Sequence, residues 1–430
     1  MDSLSKKLEP KENTIKPYLV YAQSLSSIAP LGSVSAYLTY AFSSSLSSTF
    51  LAGIIGVLIY FLWVLIGYRY SKVIASTGGI YDFARSGGGE LIGKIAGWLY
   101  WISYTVYLSS ATTYLSGIVI PTVFNVNPML LEIVIPLALT LLILSGVKPP
   151  LFYALITSSI EVVLIIILGV KVLSSTGLSL WEPLTVNVSL SSFFSGALAV
   201  GFTLAGGGAS FFLGYEAEGK GKTVGKAYIL AYWVASLSVL FAAYFETAAV
   251  GYSNEGVLKL LNTTQYPGYY IAEKYVNPTF GLIIFIFTAN SLIGSVTAAY
   301  LALSRLTYSL LKKDMLTSVL VVASLFIGIN LIASITQQYL IVYTLTTEAS
   351  LVTLYSSHLL VSSVFPSFTK KVIRLKWYDF ALALSTVLLM GYGLWSNLNQ
   401  ISLVTEIGII SLSIGVIIGI IHWWWYKRLR

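Results

Sequence analysis

A chain of 430 residues that is 56% hydrophobic and only 10% charged is too apolar to be a water-soluble globule. It has no cysteine, which excludes disulfides, thiolate catalysis and cysteine-ligated metals; its two histidines, His358 and His422, cannot make a histidine-rich metal site, and no metal or cofactor is expected. The net charge of +8 could suggest nucleic acid, but the positions of the charges point to the membrane instead.

Residues 1–16 carry four lysines and no apolar stretch, so no secretory signal is expected there and the segment reads as a cytoplasmic tail. Segments apolar and long enough to cross a bilayer follow at 17–42, 48–68, 95–119, 128–146, 151–172, 193–215, 227–251, 279–304, 315–335, 339–365, 378–397 and 402–425. With the amino terminus in the cytoplasm, 22 of the 25 Lys and Arg fall on the inner side, and only Lys171, Lys259 and Lys274 lie outside. Basic loops favour the cytoplasmic face, and displacing the count by one span destroys the asymmetry. The reading is an all-α protein of about twelve spans in the cytoplasmic membrane, both termini inside, with the lipid bilayer as its partner. Trp423, Trp424 and Trp425, followed by Lys427, Arg428 and Arg430 in the 426–430 tail, fit an interfacial aromatic belt with a charged anchor.

Two spans are interrupted. Pro30-Leu31-Gly32-Ser33 falls within the first and Ala205-Gly206-Gly207-Gly208 within the sixth. Each glycine costs a helix about 1 kcal/mol relative to alanine, and unwound backbone at bilayer depth is tolerated only where protein buries it or it lines a cavity. Broken helices in matching halves point to the binding site of a secondary transporter. The five-span offset suggests two inverted five-helix repeats, 17–172 and 193–365, with helices at 378–425 appended.

Opening a helix exposes amides at one new end and carbonyls at the other. The amides of Gly32, Ser33 and Val34, and those of Gly207, Gly208 and Ala209 beside Gly206, are expected to hold a carboxylate. The carbonyls of Ile28, Ala29 and Leu204 are expected to take an ammonium. A zwitterionic amino acid offers both groups, so the site needs no charged side chain. The glycines of the sixth span are also expected to leave room for a bulky substrate side chain.

Charges within spans are costly, ~2.5–3.5 kcal/mol for a mid-span carboxylate even on insertion scales. Glu161 is therefore read as a proton-coupling group, with hydrogen bonds from Ser158 or Ser159 as the structural alternative. Glu348, flanked by Thr346 and Thr347, is a second candidate. Glu246 is expected near the outer surface, Glu132 and Glu406 at the interface, and His358 as a hydrogen-bonded structural residue. Asp82, Arg85, Glu216, Glu218 and Arg305 collect at the cytoplasmic edge and could form an inner gate of salt bridges.

Three stretches carry a family resemblance: STGGIYDFARSGGGELIGKIAGWLYW at 76–101, FFLGYEAEGKGKTVGKA at 211–227 and NSLIGSVTAAYLALSRLTYSLLKKDML at 290–316. Their order and cytoplasmic placement resemble the amino acid–polyamine–organocation (APC) superfamily of transporters, of amino acid permease type, over about residues 17–365. The resemblance implies a LeuT-like fold, alternating access, backbone recognition of the substrate's main-chain groups, and side-chain selection by spans three, six and eight. Tyr107, Ser110, Phe202 and Asn290 are the candidates for that lining. By the same resemblance Glu161 falls near a position where some proton-coupled members carry a lysine. The function expected is proton-coupled amino acid transport. Exchange of amino acids, amines or polyamines without ion coupling, or substrate sensing, are the alternatives; no motif suggests a channel or an enzyme.

Overall fold

The computed structural model describes residues 2–400 and 402–428, and the described residues form helices and turns without a strand. After α1 (Asp2–Leu8), α2 (Pro17–Ile28) opens on a proline, whose missing N–H is no loss in a first turn. It ends because Pro30 pushes the residue before it out of the helical region. Ala29 takes φ 53°, ψ 76°, a left-handed conformation unusual for a residue with a Cβ. The chain then re-enters helix at once: Pro30–Gly32 is helical, Ser33–Tyr37 is a π-helical turn, and α3 (Leu38–Ser45) continues. The interruption is thus confined to Ala29, and Gly32, expected inside it, is helical with φ −63° and ψ −40°.

Beyond a turn at Leu46, φ 46°, lies α4 (Thr49–Ser71). Then comes α5 (Ile80–Tyr114), which Gly89 at φ 79°, ψ −177° divides into a short amphipathic helix and a long one. Next are α6 (Pro128–Leu144), α7 (Lys148–Thr176) and α8 (Leu190–Thr203). At Leu204 the α-helical ladder stops, and Ala205–Leu213 runs on as 3-10 helix. The glycine run tightens the helix instead of opening it into coil, which small residues permit because side chains in a 3-10 helix eclipse one another.

The remaining helices are α9 (Lys220–Ala249), α10 (Asn254–Thr263), α11 (Pro267–Tyr275), α12 (Pro278–Leu311), α13 (Met315–Thr336), α14 (Tyr339–Val372), α15 (Trp377–Leu398) and α16 (Leu403–Arg428). Among the described residues, ten helical stretches are long and apolar enough to cross a membrane; one of them, Pro17–Ser71, contains both the Ala29 and Leu46 breaks, and Pro128–Leu144 is a shorter apolar helix.

At the centre, α14 packs along α5, and α2 lies against the 3-10 segment. Leu141, Ile156, Leu237 and Ile335 are exposed on the outside, an apolar surface suited to lipid. Polar groups turn inward. Glu132, expected at an interface, is fully buried and accepts from Thr113 Oγ1 (3.0 Å), Ser116 Oγ (2.5 Å) and Asn330 Nδ2 (2.6 Å), which ties α5, α6 and α13 together. Glu246, expected near the surface, is buried with no partner for either oxygen. His358 is buried and stacks on Trp63 at 3.8 Å, while its Nδ1 has no hydrogen-bond partner.

Candidate functional site

The two interruptions face each other across a cavity. Ser27, Ser33 and Tyr37 line it from the α2 side, and Phe202, Thr203, Ala205 and Gly206 from the α8 side. Ser103, Tyr104 and Tyr107 of α5, with Ser350 and Leu354 of α14, close it. The space between these residues, including its opening to the outside, is about 350 Å³. The cavity is narrow, with room for about one water molecule.

Its walls are four aromatic rings, hydroxyls and small residues, with no acid, base or histidine among the lining residues. Most of the hydroxyls are spoken for. Ser33 Oγ donates to the carbonyls of Ile28 (2.5 Å) and Thr203 (3.0 Å), fastening one interrupted helix to the other. Ser103 Oγ donates to Ser350 O at 2.9 Å, and the Tyr107 hydroxyl pairs with Ser295. Ser27 Oγ and the Tyr37 hydroxyl are buried without a partner, and the Tyr104 hydroxyl reaches Gly206 O only at 3.5 Å. Ser27 Oγ and the Tyr37 hydroxyl thus have hydrogen-bonding capacity left for a ligand.

Of the residues expected in the site, Ser33, Tyr107, Phe202 and Gly206 line the cavity. The others lie around it, most with their polar groups engaged, while Asn290 Nδ2 is buried without a partner. Ala29 O accepts from Ser33 N (2.7 Å), Leu204 O from Gly207 N (3.4 Å), and Gly207 O from Ser24 Oγ (3.0 Å). Val34, Gly208 and Ala209 are buried in their turns and are not among the lining residues. Ser110 pairs with Thr347 at 2.6 Å, and Asn290 Oδ1 accepts from the hydroxyl of Tyr153 in α7.

The glycines do not make room for a bulky side chain. A Cβ on Gly206 would overlap the Ser27 carbonyl oxygen, and one on Gly207 would lie 2.5 Å from the Tyr228 ring. Their smallness is used for close approach of backbone and ring.

The amides at the α2 interruption are already occupied. Leu31 N donates to Glu161 Oε2 (3.3 Å), Gly32 N donates to Ser291 Oγ (3.0 Å), and Ser291 Oγ donates in turn to Glu161 Oε2 (2.5 Å). The chain's own carboxylate therefore sits where a substrate carboxylate was expected, at the positive end of the second half-helix. Ser158 and Ser159, the expected partners of Glu161, donate instead to carbonyls of their own helix. Glu348 is held by the Tyr40 hydroxyl (2.7 Å) and Asn397 Nδ2 (2.6 Å) rather than by its neighbouring threonines. Asn397 Oδ1 takes Ser195 Oγ (2.8 Å), so this carboxylate joins α3, α8, α14 and α15.

The family description "Amino acid permease" matches residues 20–325, which include both interruptions, Glu161 and Ser291. The chain belongs to the amino acid permease family. No curated protein matches it. The family is one of transporters rather than enzymes, and with its many apolar helices this permease is a multi-pass membrane protein that moves amino acids across the bilayer.

At the end of the permease that carries the amino-terminal tail, Arg305 of α12 meets Glu216 in the turn before α9. Arg305 Nη2 donates to Oε1 at 2.9 Å and Nε to Oε2, with both side chains at 2% exposure or less. The tail is laid over this pair: the Thr14 and Ile15 amides donate to Glu216 O (2.8 and 2.9 Å), and Ile15 O accepts from Glu218 N (2.8 Å). The other charges expected in a gate are elsewhere. Asp82 pairs with Arg85 one helical turn away at 2.9 Å, half in solvent, and the Glu218 side chain is exposed with no ion pair among the described residues.

The residues that sequence reasoning missed are Ser27, Tyr37, Ser103, Tyr104, Thr203, Ala205, Ser350 and Leu354. Ser103 and Tyr104 were within reach, because they precede Tyr107 by four and three residues and so share its helix face. Nothing comparable marked Ser350 and Leu354, since every residue of α14 from Thr346 to His358 is buried and no face stands out.

Proposed function

We propose that this permease is a secondary active transporter that carries amino acids across the cytoplasmic membrane by alternating access, driven by protons. The observation that carries the reading is the charge-free cavity between two interrupted helices that are fastened to each other through Ser33. Counting Pro17–Ser71 as two crossings and adding Pro128–Leu144 gives twelve, with both termini in the cytoplasm. The first ten form two inverted repeats of five, and α15 and α16 are appended. The substrate's ammonium and carboxylate bind at the broken ends, near Ser27, Tyr37 and Gly206.

Glu161 is the coupling group in this reading. It holds the amide end of the α2 interruption through Leu31 and Ser291, so a change in its charge alters the hinge at Ala29 directly. Glu348 plays the lesser part, as an anchor of α3 and α8. Arg305 and Glu216 close the cytoplasmic side.

Reconstitution into proteoliposomes tests this. An inwardly directed proton gradient is expected to concentrate an amino acid inside the vesicles, and Glu161→Gln is expected to bind substrate without responding to the gradient. Accumulation that ignores pH in the unaltered protein, with counterflow preserved, would replace coupling by exchange. Absence of any saturable uptake or binding by folded protein would refute the transport reading itself.

A further inference from the structure

We propose that Glu246 is a proton-binding site that works a latch at the end of the molecule away from the amino-terminal tail. Protonated, it leaves the Tyr114 hydroxyl to the two carbonyls that this hydroxyl clasps; ionised, it draws the hydroxyl off them. The site goes beyond the transport reading, because it is separate from Glu161 and needs no substrate. α9 begins at Lys220, beside the turn that the tail covers. Glu246 lies in the last turn of that helix, roughly 40 Å away at the helical rise.

Glu246 is 1% exposed, and among the described residues neither of its oxygens has a hydrogen-bond donor and no cation pairs with it. The charged groups of the elements packed around α9 are engaged elsewhere. α2, the Ser33–Tyr37 turn and the 3-10 segment contain none, and Arg69, the one in α4, is bound to Asp379. In α7, Glu161 is held by Leu31 and Ser291, Lys148 lies by the tail, and Lys171 is exposed, as is Glu182. Glu273 of α11 takes the Tyr269 hydroxyl at 2.8 Å, and Lys274 lies over the Tyr275 ring. An ionised carboxylate with neither donor nor cation is too costly in such surroundings, so in this arrangement Glu246 carries a proton.

Of the tyrosines at this end of α9, Tyr244 and Tyr275 donate to the carbonyls of Ser179 and Ala249 (2.7 and 2.8 Å). Tyr114 of α5 is the one whose hydroxyl lies within electrostatic range of the Glu246 carboxyl. That hydroxyl is 2.8 Å from Ser35 O, in the π-helical turn of the first interrupted span, and 2.8 Å from Gln265 O, between α10 and α11. A phenol has one proton to donate, so the two carbonyls share it, and a carboxylate is a stronger acceptor than either. When Glu246 gives up its proton to water, the Tyr114 hydroxyl turns to it, and the turn carrying Ser33 and Tyr37 parts from the Gln265 segment. Proton binding reverses the step, so acid favours the clasped form.

Infrared spectroscopy and thiol labelling of the full-length protein test the site and the latch separately. At neutral pH the difference spectrum between the unaltered protein and Glu246→Gln is expected to contain the C=O stretch of a protonated carboxyl. A difference showing only carboxylate bands would overturn the proton site. With the single thiol of Thr203→Cys in sealed vesicles, the maleimide reaction from the side opposite the tail is compared with and without Glu246→Gln at each pH, which cancels the thiol's own ionisation. The two rates are expected to agree at about pH 5 and to differ about 10-fold by about pH 9, with Glu246→Gln the slower. Tyr114→Phe is expected to label fast at both values and to remove the difference. Equal rates with and without Glu246→Gln at both values, or a difference that survives Tyr114→Phe, would overturn the latch. Should Glu246→Gln not fold, Tyr114→Phe still decides, because a pH profile identical to that of Thr203→Cys alone overturns it. Neither measurement involves substrate, so failure here leaves the transport reading intact, and absence of saturable uptake would leave these results standing.

Discussion

Loss of the Glu216 carboxylate is expected to open the tail-bearing side of the chamber. In the closed arrangement Arg305 and Glu216 share two charge-assisted hydrogen bonds and are at most 2% exposed. Removing one member of such a pair leaves an uncompensated buried charge, a cost of ~3–5 kcal/mol. If rehydration of Arg305 in an open arrangement recovers even half of this, the ratio of open to closed protein rises by roughly 10-fold. The chain contains no cysteine, so a single Thr203→Cys change supplies one thiol in the cavity wall. Its reaction with a membrane-impermeant maleimide can be timed from each side of sealed vesicles. Glu216→Gln is expected to accelerate labelling about 10-fold from the tail-bearing side and not from the other. A neutral, volume-matched pair such as Arg305→Met with Glu216→Leu is expected to return the rate towards its original value. Unchanged labelling from both sides, accompanied only by a lower melting temperature, would make the pair a structural tie and refute the gate.

Gly206→Ala is expected to cost at least ~1–3 kcal/mol, because its Cβ overlaps Ser27 O, whereas Gly208→Ala meets the Tyr100 hydroxyl at 3.3 Å and the Phe211 ring at 3.6 Å, and is expected to be mild; thermal unfolding of the two variants separates them. Glu132→Ala strips the acceptor from Thr113, Ser116 and Asn330, each buried donor costing ~1–3 kcal/mol, and Glu132→Gln is expected to restore part of the lost melting temperature. Asp314 caps α13, and the hydroxyl and amide of Thr317 hold its carboxyl below the usual range. A depressed carboxylate stabilises the fold above its unfolded value of about 3.9 and stops doing so as pH falls through the lower folded value. The protection of the Thr317 amide, taken relative to its intrinsic exchange rate, is therefore expected to fall below about pH 4 in the unaltered protein and to stay flat across that window in Asp314→Asn.

What could be read from the sequence was what local chemistry controls. Pro30 ends a helix wherever it stands, so an interruption in the first apolar segment was legible, although Gly32 was wrongly included in it because a single glycine remains compatible with helix. The glycine run correctly marked the end of α-helical bonding at Leu204, but whether the chain would continue as coil or as 3-10 helix depended on Ser27 and Tyr228 pressing against it. Membrane class followed from composition, and Phe202 and Tyr107 came from resemblance. The illegible part was tertiary. Glu161 meets Leu31 and Ser291 each 130 residues away, and Glu132 finds Asn330 across 198 residues. Sequence shows that such carboxylates are costly in a membrane; it does not show which donors relieve the cost.

For Glu161 that distinction separates two roles that its position alone would confuse. A carboxylate at the amide end of a half-helix is stabilised there by the helix dipole and by two donors, so capping alone would justify its burial. Glutamine keeps an oxygen for the Leu31 amide and nearly the same shape, but carries no charge and does not titrate. Alanine removes the cap as well, leaving the Leu31 amide and the Ser291 hydroxyl without their acceptor. If Glu161 only caps, Gln and Ala should differ mainly in stability, by ~1–3 kcal/mol for the unsatisfied donor, and uptake by the Gln variant should follow a proton gradient as the unaltered protein does. If Glu161 couples, the Gln variant should match the unaltered protein in melting temperature and substrate binding, exchange substrate across the membrane, and fail only to accumulate it against a gradient. Accumulation by Glu161→Gln at the full level would assign the proton to another group, and Glu246, the buried carboxyl with no donor on either oxygen, would be the next to change.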